Sequence, residues 1–226
     1  MLARSRVDAS RARFSANRAW FGCWLWGVGV LALLVLAGCG RETPELPPLD
    51  PSAEILAFGN SLTHGTGASA EASYPAVLAD RLGRDVINAG KPGEVSGDGR
   101  RRLPGVLDET EPDLVLLCHG GNDFLQDNDP EDVRDNLTVM VRQARERDIP
   151  VVLIGVPGRS LSLSTSPIYA KVAAAMDLVL VEDAVASILG DSELRSDRIH
   201  PNADGYRRLA EAVHEKLVEA GAVDRP

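Results

Sequence analysis

The chain has 226 residues, 24 Lys and Arg against 33 Asp and Glu, and a formal net charge of −9. That balance excludes the basic face on which nucleic-acid binding rests, so no nucleic-acid partner is expected. Hydrophobic residues make up 44% of the sequence, enough to build one ordinary core, and no repeat at a solenoid period is visible.

The N-terminus carries Arg4, Arg6, Arg11, Arg13 and Arg18 against the single acid Asp8, and an apolar run follows over residues 21–36. A basic start feeding an apolar stretch is the order of a secretory signal. The run contains Gly27 and Gly29 and falls short of the ~20 residues that a comfortable bilayer span needs. It closes on Leu36-Ala37-Gly38-Cys39, which resembles a bacterial lipobox. The resemblance implies a signal peptide over residues 1–38, a lipid on the Cys39 thiol, and a folded part held at a membrane outside the cytoplasm. An uncleaved single-span anchor is the alternative. Gly40, not Asp, follows the cysteine; in lipoproteins this favours the periplasmic face of the outer membrane, where the host has one. Cleavage moves the net charge to about −13 and leaves Cys118 as the only free thiol, so no intrachain disulfide is expected.

Residues 41–52 hold Pro44, Pro47, Pro48 and Pro51 and few apolar side chains. With Cys39 and Gly40 they read as a linker, residues 39–52, that lifts the domain off the membrane. The domain itself is expected over residues 53–226.

Within it, short continuous apolar runs recur at Ile55 to Phe58, Val86-Ile87, Leu114 to Cys118, Val151 to Ile154 and Leu178 to Val181. Continuous runs suit strands covered on both faces. Between them, Val133, Leu137, Met140, Val141 and Ala144 show helical spacing behind Asp129 as N-cap and Pro130 at the first helical position. Tyr206, Leu209, Ala210, Val213 and Leu217 predict a closing helix that ends at Gly221. The alternation predicts an α/β fold, a three-layer α/β/α sandwich around a parallel sheet of about five strands. Ligands bind such sheets beyond the carboxyl ends of the strands, which makes the polar residues after each run the candidates for function.

Those residues are Gly59-Asn60-Ser61-Leu62, then Asn88-Ala89-Gly90, Gly120-Gly121-Asn122-Asp123, and Asp197-Arg198-Ile199-His200-Pro201. The four segments, in this order, resemble the blocks of the SGNH (GDSL) hydrolases. A serine hydroxyl needs an adjacent base, and that base needs a third group to fix its tautomer. The resemblance implies Ser61 as nucleophile, His200 as base, Asp197 as the group that holds His200, and no cofactor or metal. It also implies an oxyanion hole built from the N–H groups of Ser61 and Gly90 and the side-chain amide of Asn122. One departure stands out: Asn60 occupies a position where the family usually has Asp, and Asn keeps an acceptor oxygen while losing the charge. Tuning is the expected consequence, since that position is outside the triad.

Other signals take plainer readings. His64 and His119 read as a loop residue and a strand-end residue satisfied by backbone, His214 as half exposed, and Arg100-Arg101-Arg102 as a solvated face. The acids from Asp127 to Asp132 lack the glycine and spaced Glu of a calcium loop and suit a helix N-terminus. Neither a phosphate-binding Gly-x-x-x-x-Gly-Lys run nor a Gly-x-Ser-x-Gly elbow is present.

Ser73 to Leu78, Val86 to Gly90, Arg102-Leu103-Pro104 and Gly120 to Asp123 look most like the small arylesterase, acyl-CoA thioesterase and lysophospholipase group. That likeness implies a small acyl or aryl ester, or a thioester, as substrate. The alternatives are a carbohydrate O-acetyl esterase of the same fold and a non-catalytic tethered binding protein. Residues 156–163, after the fourth strand, are the natural wall of an acyl groove, although their scattered leucines also suit simple packing.

Overall fold

The computed structural model describes residues 43–158 and 163–225. The expected signal peptide, Cys39 and the first residues of the expected linker lie outside them, as does part of the loop after the fourth strand.

Strand β1 (Ile55–Gly59) is buried along its whole length. Burying each of its large side chains, Ile55, Leu56 and Phe58, stabilises the fold by roughly 1.5–3 kcal/mol. Strands β2 (Val86–Gly90), β3 (Leu114–Cys118), β4 (Val151–Ile154) and β5 (Val179–Val181) complete one sheet in the order β2-β1-β3-β4-β5. Every pairing is parallel, with Gly59 in register with Gly90 on one side and Cys118 on the other. Each predicted apolar run becomes a strand; β1 and β2 extend into the glycines that follow, and β5 starts one residue late.

Eight helices join these strands among the described residues: α1 (Ser61–His64), α2 (Tyr74–Leu82), α3 (Ser96–Thr110), α4 (Gly121–Leu125), α5 (Pro130–Arg145), α6 (Pro167–Met176), α7 (Ala184–Gly190) and α8 (Ala203–Glu219). α2 and α7 both pack on α8, while α3 and α6 both pack on α5, giving the two outer layers. The α5 stripe predicted from spacing, Val133, Leu137, Met140, Val141 and Ala144, is its buried face. Asp129 caps that helix by accepting the Glu131 N–H at 2.9 Å. The closing helix likewise buries its predicted residues, and its end is made by Ala220 with Gly221 at φ 78°.

Pro104 sits inside α3 and removes the N–H that would serve the Arg100 carbonyl. Gln143 of α5 supplies the missing donor, its Nε2 lying 3.2 Å from that oxygen, so a break in one helix becomes a tie between two. Cys118 ends β3 fully buried, and burial pushes its thiol up to about 12. It is the inert small hydrophobe expected.

The linker expectation needs correction over residues 43–52, which belong to the compact unit that starts at Thr43. Leu46 and Leu49 pack against the core, and their N–H groups donate at 2.8 Å to the carbonyls of Ala220 and Ala222. Arg84 secures the segment, donating to the Asp50 carbonyl at 2.9 Å and the Leu49 carbonyl at 3.1 Å. The prolines do keep it extended, but each leucine between them brings one N–H and one apolar side chain to the end of α8. His214 is another correction: it lies 8% exposed on α8, where burial lowers its pKa.

Candidate active site

Strand order reverses between β1 and β3, because β2 lies outside β1 while β4 and β5 lie outside β3. The crevice of an open parallel sheet forms at such a reversal, beyond the carboxyl ends. Ser61 follows β1 and Asn122 follows β3, so these two side chains flank it.

The turn that presents Ser61 is tightly packed. A Cβ on Gly59 would lie 2.2 Å from the Cys118 carbonyl oxygen and 2.3 Å from Thr63 Oγ1, so only glycine fits there. Asn60 is buried and caps α1, its Oδ1 accepting the Leu62 N–H at 3.2 Å. That bond needs an acceptor oxygen, not a charge, and Asn provides one. Ser61 is the first residue of the helix, and its N–H has no partner among the described residues.

His200 arrives from the other end of the chain. Its Nε2 lies 3.1 Å from Ser61 Oγ, and its Nδ1 lies 2.8 Å from Asp197 Oδ2. The second carboxylate oxygen of Asp197 accepts the N–H groups of Ile199 at 2.8 Å and His200 at 2.9 Å. The hydrogen bond from the His200 ring, followed by these backbone donors, holds the Asp197 carboxyl below its ordinary value. Two further contacts bind the His200 loop to the serine turn. Tyr206 of α8 donates to the Thr66 carbonyl at 2.7 Å, and Gly67, at φ 102°, packs so closely on Ser196 that a Cβ would lie 2.1 Å from its Oγ.

Asn122 is held by backbone: its Nδ2 donates to the Glu94 carbonyl at 2.9 Å, leaving the other amide hydrogen for a ligand. Its neighbour Asp123 is buried and starts α3, accepting from Ser96 N and Ser96 Oγ, both at 2.7 Å.

Gly90, by contrast, does not offer its N–H to the crevice. That hydrogen goes to Asn88 Oδ1 at 3.0 Å, and a Cβ on Gly90 would lie 2.1 Å from the His64 nitrogen. Gly90 is therefore the floor on which α1 rests, which corrects the oxyanion role expected of it. Three residues on, Lys91 to Glu94 form a turn closed at 3.2 Å, with Pro92 and then Gly93 at φ 79° as its central pair. Gly93 is exposed, directly precedes the residue whose carbonyl holds Asn122, and has an N–H without a partner among the described residues.

A buried ionic cluster lies under that turn. Glu94 is 5% exposed and receives Arg102 Nη2 at 2.6 Å and Nε at 2.9 Å, and its Oε2 lies 3.2 Å from His119 Nε2. Burial alone would raise the Glu94 carboxyl, but hydrogen bonds from His119 and Arg102 and their charges bring it down to about 2. His119 Nδ1 accepts the Gly120 N–H at 3.1 Å, which turns Nε2 towards Glu94 as the donor. Arg102 also donates to the carbonyls of Ala89 at 3.1 Å and Gly59 at 3.3 Å, with its guanidinium 4.1 Å from the Phe58 ring centroid. Its expected place on a solvated face holds for Arg100 and Arg101 only, and His119 is satisfied by Glu94 as much as by backbone. Sequence reading missed this cluster because its members are separated by 8 and 25 residues. The available signal was the likeness already noted at Arg102-Leu103-Pro104.

Ser61, Asn122 and His200 line one cavity of about 140 Å³. Its other walls are mostly apolar, from Leu62, Phe124, Val156 and Leu189. The large apolar side chains left exposed among the described residues are Leu125, Leu163 and Ile199, and all three line this cavity. No group of three or more metal-ligating side chains occurs among the described residues, and no helix there is long and apolar enough to cross a membrane.

The chain is similar to known ester-hydrolysing proteins. A family described as GDSL-like Lipase/Acylhydrolase matches residues 57–208. An arylesterase of Vibrio mimicus is 33% identical over 179 residues, covering 74% of this chain and 90% of that protein. Thioesterase 1/protease 1/lysophospholipase L1 of Escherichia coli is 30% identical over 171 residues, covering 72% and 82%. Among solved structures, that of TesA superposes with a TM-score of 0.66 at 29% identity, covering 73% of this chain and 97% of the other.

Proposed function

The chain belongs to the GDSL-like lipase/acylhydrolase family and hydrolyses esters, and on that premise we propose that Ser61, His200 and Asp197 carry the reaction. The observation that supports this most directly is the 3.1 Å separation of Ser61 Oγ and His200 Nε2. Ser61 attacks the ester carbonyl while its proton passes to His200 Nε2. Asp197 holds the ring through Nδ1 and stabilises the imidazolium that forms. The oxyanion faces the Ser61 N–H, the free amide hydrogen of Asn122 and the Gly93 N–H, the last replacing Gly90 in that role. Collapse breaks the bond to the leaving oxygen or sulfur, which takes the proton from His200 and leaves an acyl-serine. Water then repeats the sequence on the acyl-enzyme and restores Ser61.

The substrate is an acyl or aryl ester, or a thioester. The apolar lining and exposed rim of Leu125, Leu163 and Ile199 support this reading over a sugar acetate, which calls for a polar cleft. At about 140 Å³ the cavity is smaller than the ~300–1,000 Å³ of ordinary ligand sites, so a long chain extends over the rim leucines. The names of the relatives, an arylesterase and a thioesterase/lysophospholipase, point the same way. The test is a fluorophosphonate probe together with p-nitrophenyl butyrate. Wild type should be labelled and should release nitrophenol, and Ser61→Ala should do neither; a well-folded wild type that takes no label would sink the assignment.

We also propose that the mature chain begins at Cys39 and is tethered by lipid there in the cell envelope, at the periplasmic face of the outer membrane where the host has one. The support is the five N-terminal arginines, the apolar run and Leu36-Ala37-Gly38-Cys39. Labelling with a clickable palmitate should mark wild type in cells and spare Cys39→Ser; equal labelling would refute it.

A further inference from the structure

Arg198 lies between the two residues of the base, Asp197 and His200, and lines the same cavity as Ser61 and Asn122. Asp197 is already committed, since one carboxylate oxygen serves the His200 ring and the other accepts two backbone N–H groups. Among the described residues Arg198 makes no ion pair and no hydrogen bond. Of the other exposed arginines, Arg101 and Arg207 each meet a carboxylate, whereas Arg100 has no ion pair among the described residues. Among the described residues no carboxylate lines the cavity either, although the chain as a whole carries a net charge of −9. Arg198 is therefore a wall residue with no partner among the described residues, in a cavity whose other described lining is apolar apart from Asn60, Ser61, Asn122 and His200.

Its position selects one side of a bound ester. His200 delivers its proton to the leaving oxygen or sulfur, so the leaving group must rest against the His200 loop. Arg198 belongs to that loop, two residues before the base. Substrate entering the cavity displaces water around the guanidinium and raises the worth of an anion placed against it. The planar fork suits a phosphate or a carboxylate.

We propose that Arg198 is a specificity-determining residue that recognises an anionic group, phosphate or carboxylate, on the leaving-group side of an ester whose acyl chain occupies the apolar part of the cavity. This rests on the esterase reading above. It makes the favoured substrate an anionic amphiphile and not a neutral ester.

The test compares decanoyl esters that differ only in leaving-group charge, each kept below its micelle concentration. Decanoylglycerol phosphate against decanoylglycerol forms the phosphate arm, and decanoyl glycolate against the decanoyl ester of ethylene glycol forms the carboxylate arm. The readout is the ratio of kcat/KM for anionic over neutral substrate in wild type, Arg198→Gln and Arg198→Glu. The ratio should fall about fivefold or more in Arg198→Gln and further in Arg198→Glu, mainly through KM, and the wild-type ratio should shrink as salt is raised. The arm with the larger fall identifies the anion. Equal ratios in all three proteins in both arms would overturn the inference while leaving the hydrolase intact. Absence of turnover of all four esters, with no probe label on Ser61, would overturn the hydrolase reading and this inference with it.

Discussion

Arg102 reaches Glu94 at 2.6 Å and, with the same nitrogen, the carbonyl of Gly59 two residues ahead of Ser61. One guanidinium thus fastens the turn that carries Gly93 to the strand end that carries the nucleophile, while the Glu94 carbonyl fastens Asn122. The oxyanion donors proposed here share a buried ionic anchor that touches no substrate.

That anchor has a pH signature. The Glu94 carboxyl sits at about 2 in the fold against an ordinary value of 4.5, so its contribution is fully present above about pH 4.5 and is lost as pH falls towards 2. The shift corresponds to stabilisation on the order of 3 kcal/mol. Glu94→Gln should lower Tm at pH 7 by roughly 10 °C, and the gap from wild type should narrow to about half as the buffer is taken from pH 5 to pH 3. A gap that stayed constant with pH would show that Glu94 acts by shape and not by charge.

Asn122→Ala should fold as wild type yet lose on the order of 10²–10³ in kcat with little change in KM, the cost of one preorganised oxyanion donor. Steady-state kinetics beside circular dichroism checks both halves. Full retained turnover would remove Asn122 from the oxyanion hole.

Asp197→Asn should leave the backbone turn in place through its remaining carbonyl oxygen, but favour the wrong tautomer of His200. A fall in kcat on the order of 10⁴ is expected, with fluorophosphonate labelling slowed in parallel.

The two glycines should separate by their effects. Gly90→Ala drives a Cβ to within 2.1 Å of the His64 nitrogen and should cost several kcal/mol in urea unfolding. Gly93→Ala meets nothing within 4 Å and should cost only about 1 kcal/mol, yet lower kcat about tenfold as the turn relaxes from φ 79° and tilts the N–H. Catalytic loss confined to Gly90→Ala would restore the original assignment.

A chain starting at Ala53 should be less stable than one starting at Thr43 by on the order of 2 kcal/mol, because it forfeits two backbone hydrogen bonds and two packed leucines. Chemical denaturation of the two fragments measures the difference directly.

The sheet was legible because apolar runs buried on both faces leave little alternative. The proximity of the three residues proposed as the triad was legible because Asp197 and His200 are local to each other and Ser61 follows the first strand. What stayed hidden depended on hydrogen bonds between distant segments. Nothing in Asn88-Ala89-Gly90 reveals that the asparagine takes its neighbour's N–H, or that α1 presses on the glycine. Arg102 looks like Arg100 and Arg101 in sequence and differs only in which side of α3 meets Phe58. The docking of residues 43–52 was masked by a composition that argues for solvent, although Leu46 and Leu49 sit where the end of α8 can receive them.

Ser61 and His200 are separated by 139 positions, and Tyr206 clasps Thr66 across 140. With the roles proposed for these residues, turnover is a report on completed folding: a chain interrupted anywhere before His200 would have a nucleophile without a base. A form shortened from its C-terminal side past His200 would stay silent towards esters, however much of the sheet it had assembled.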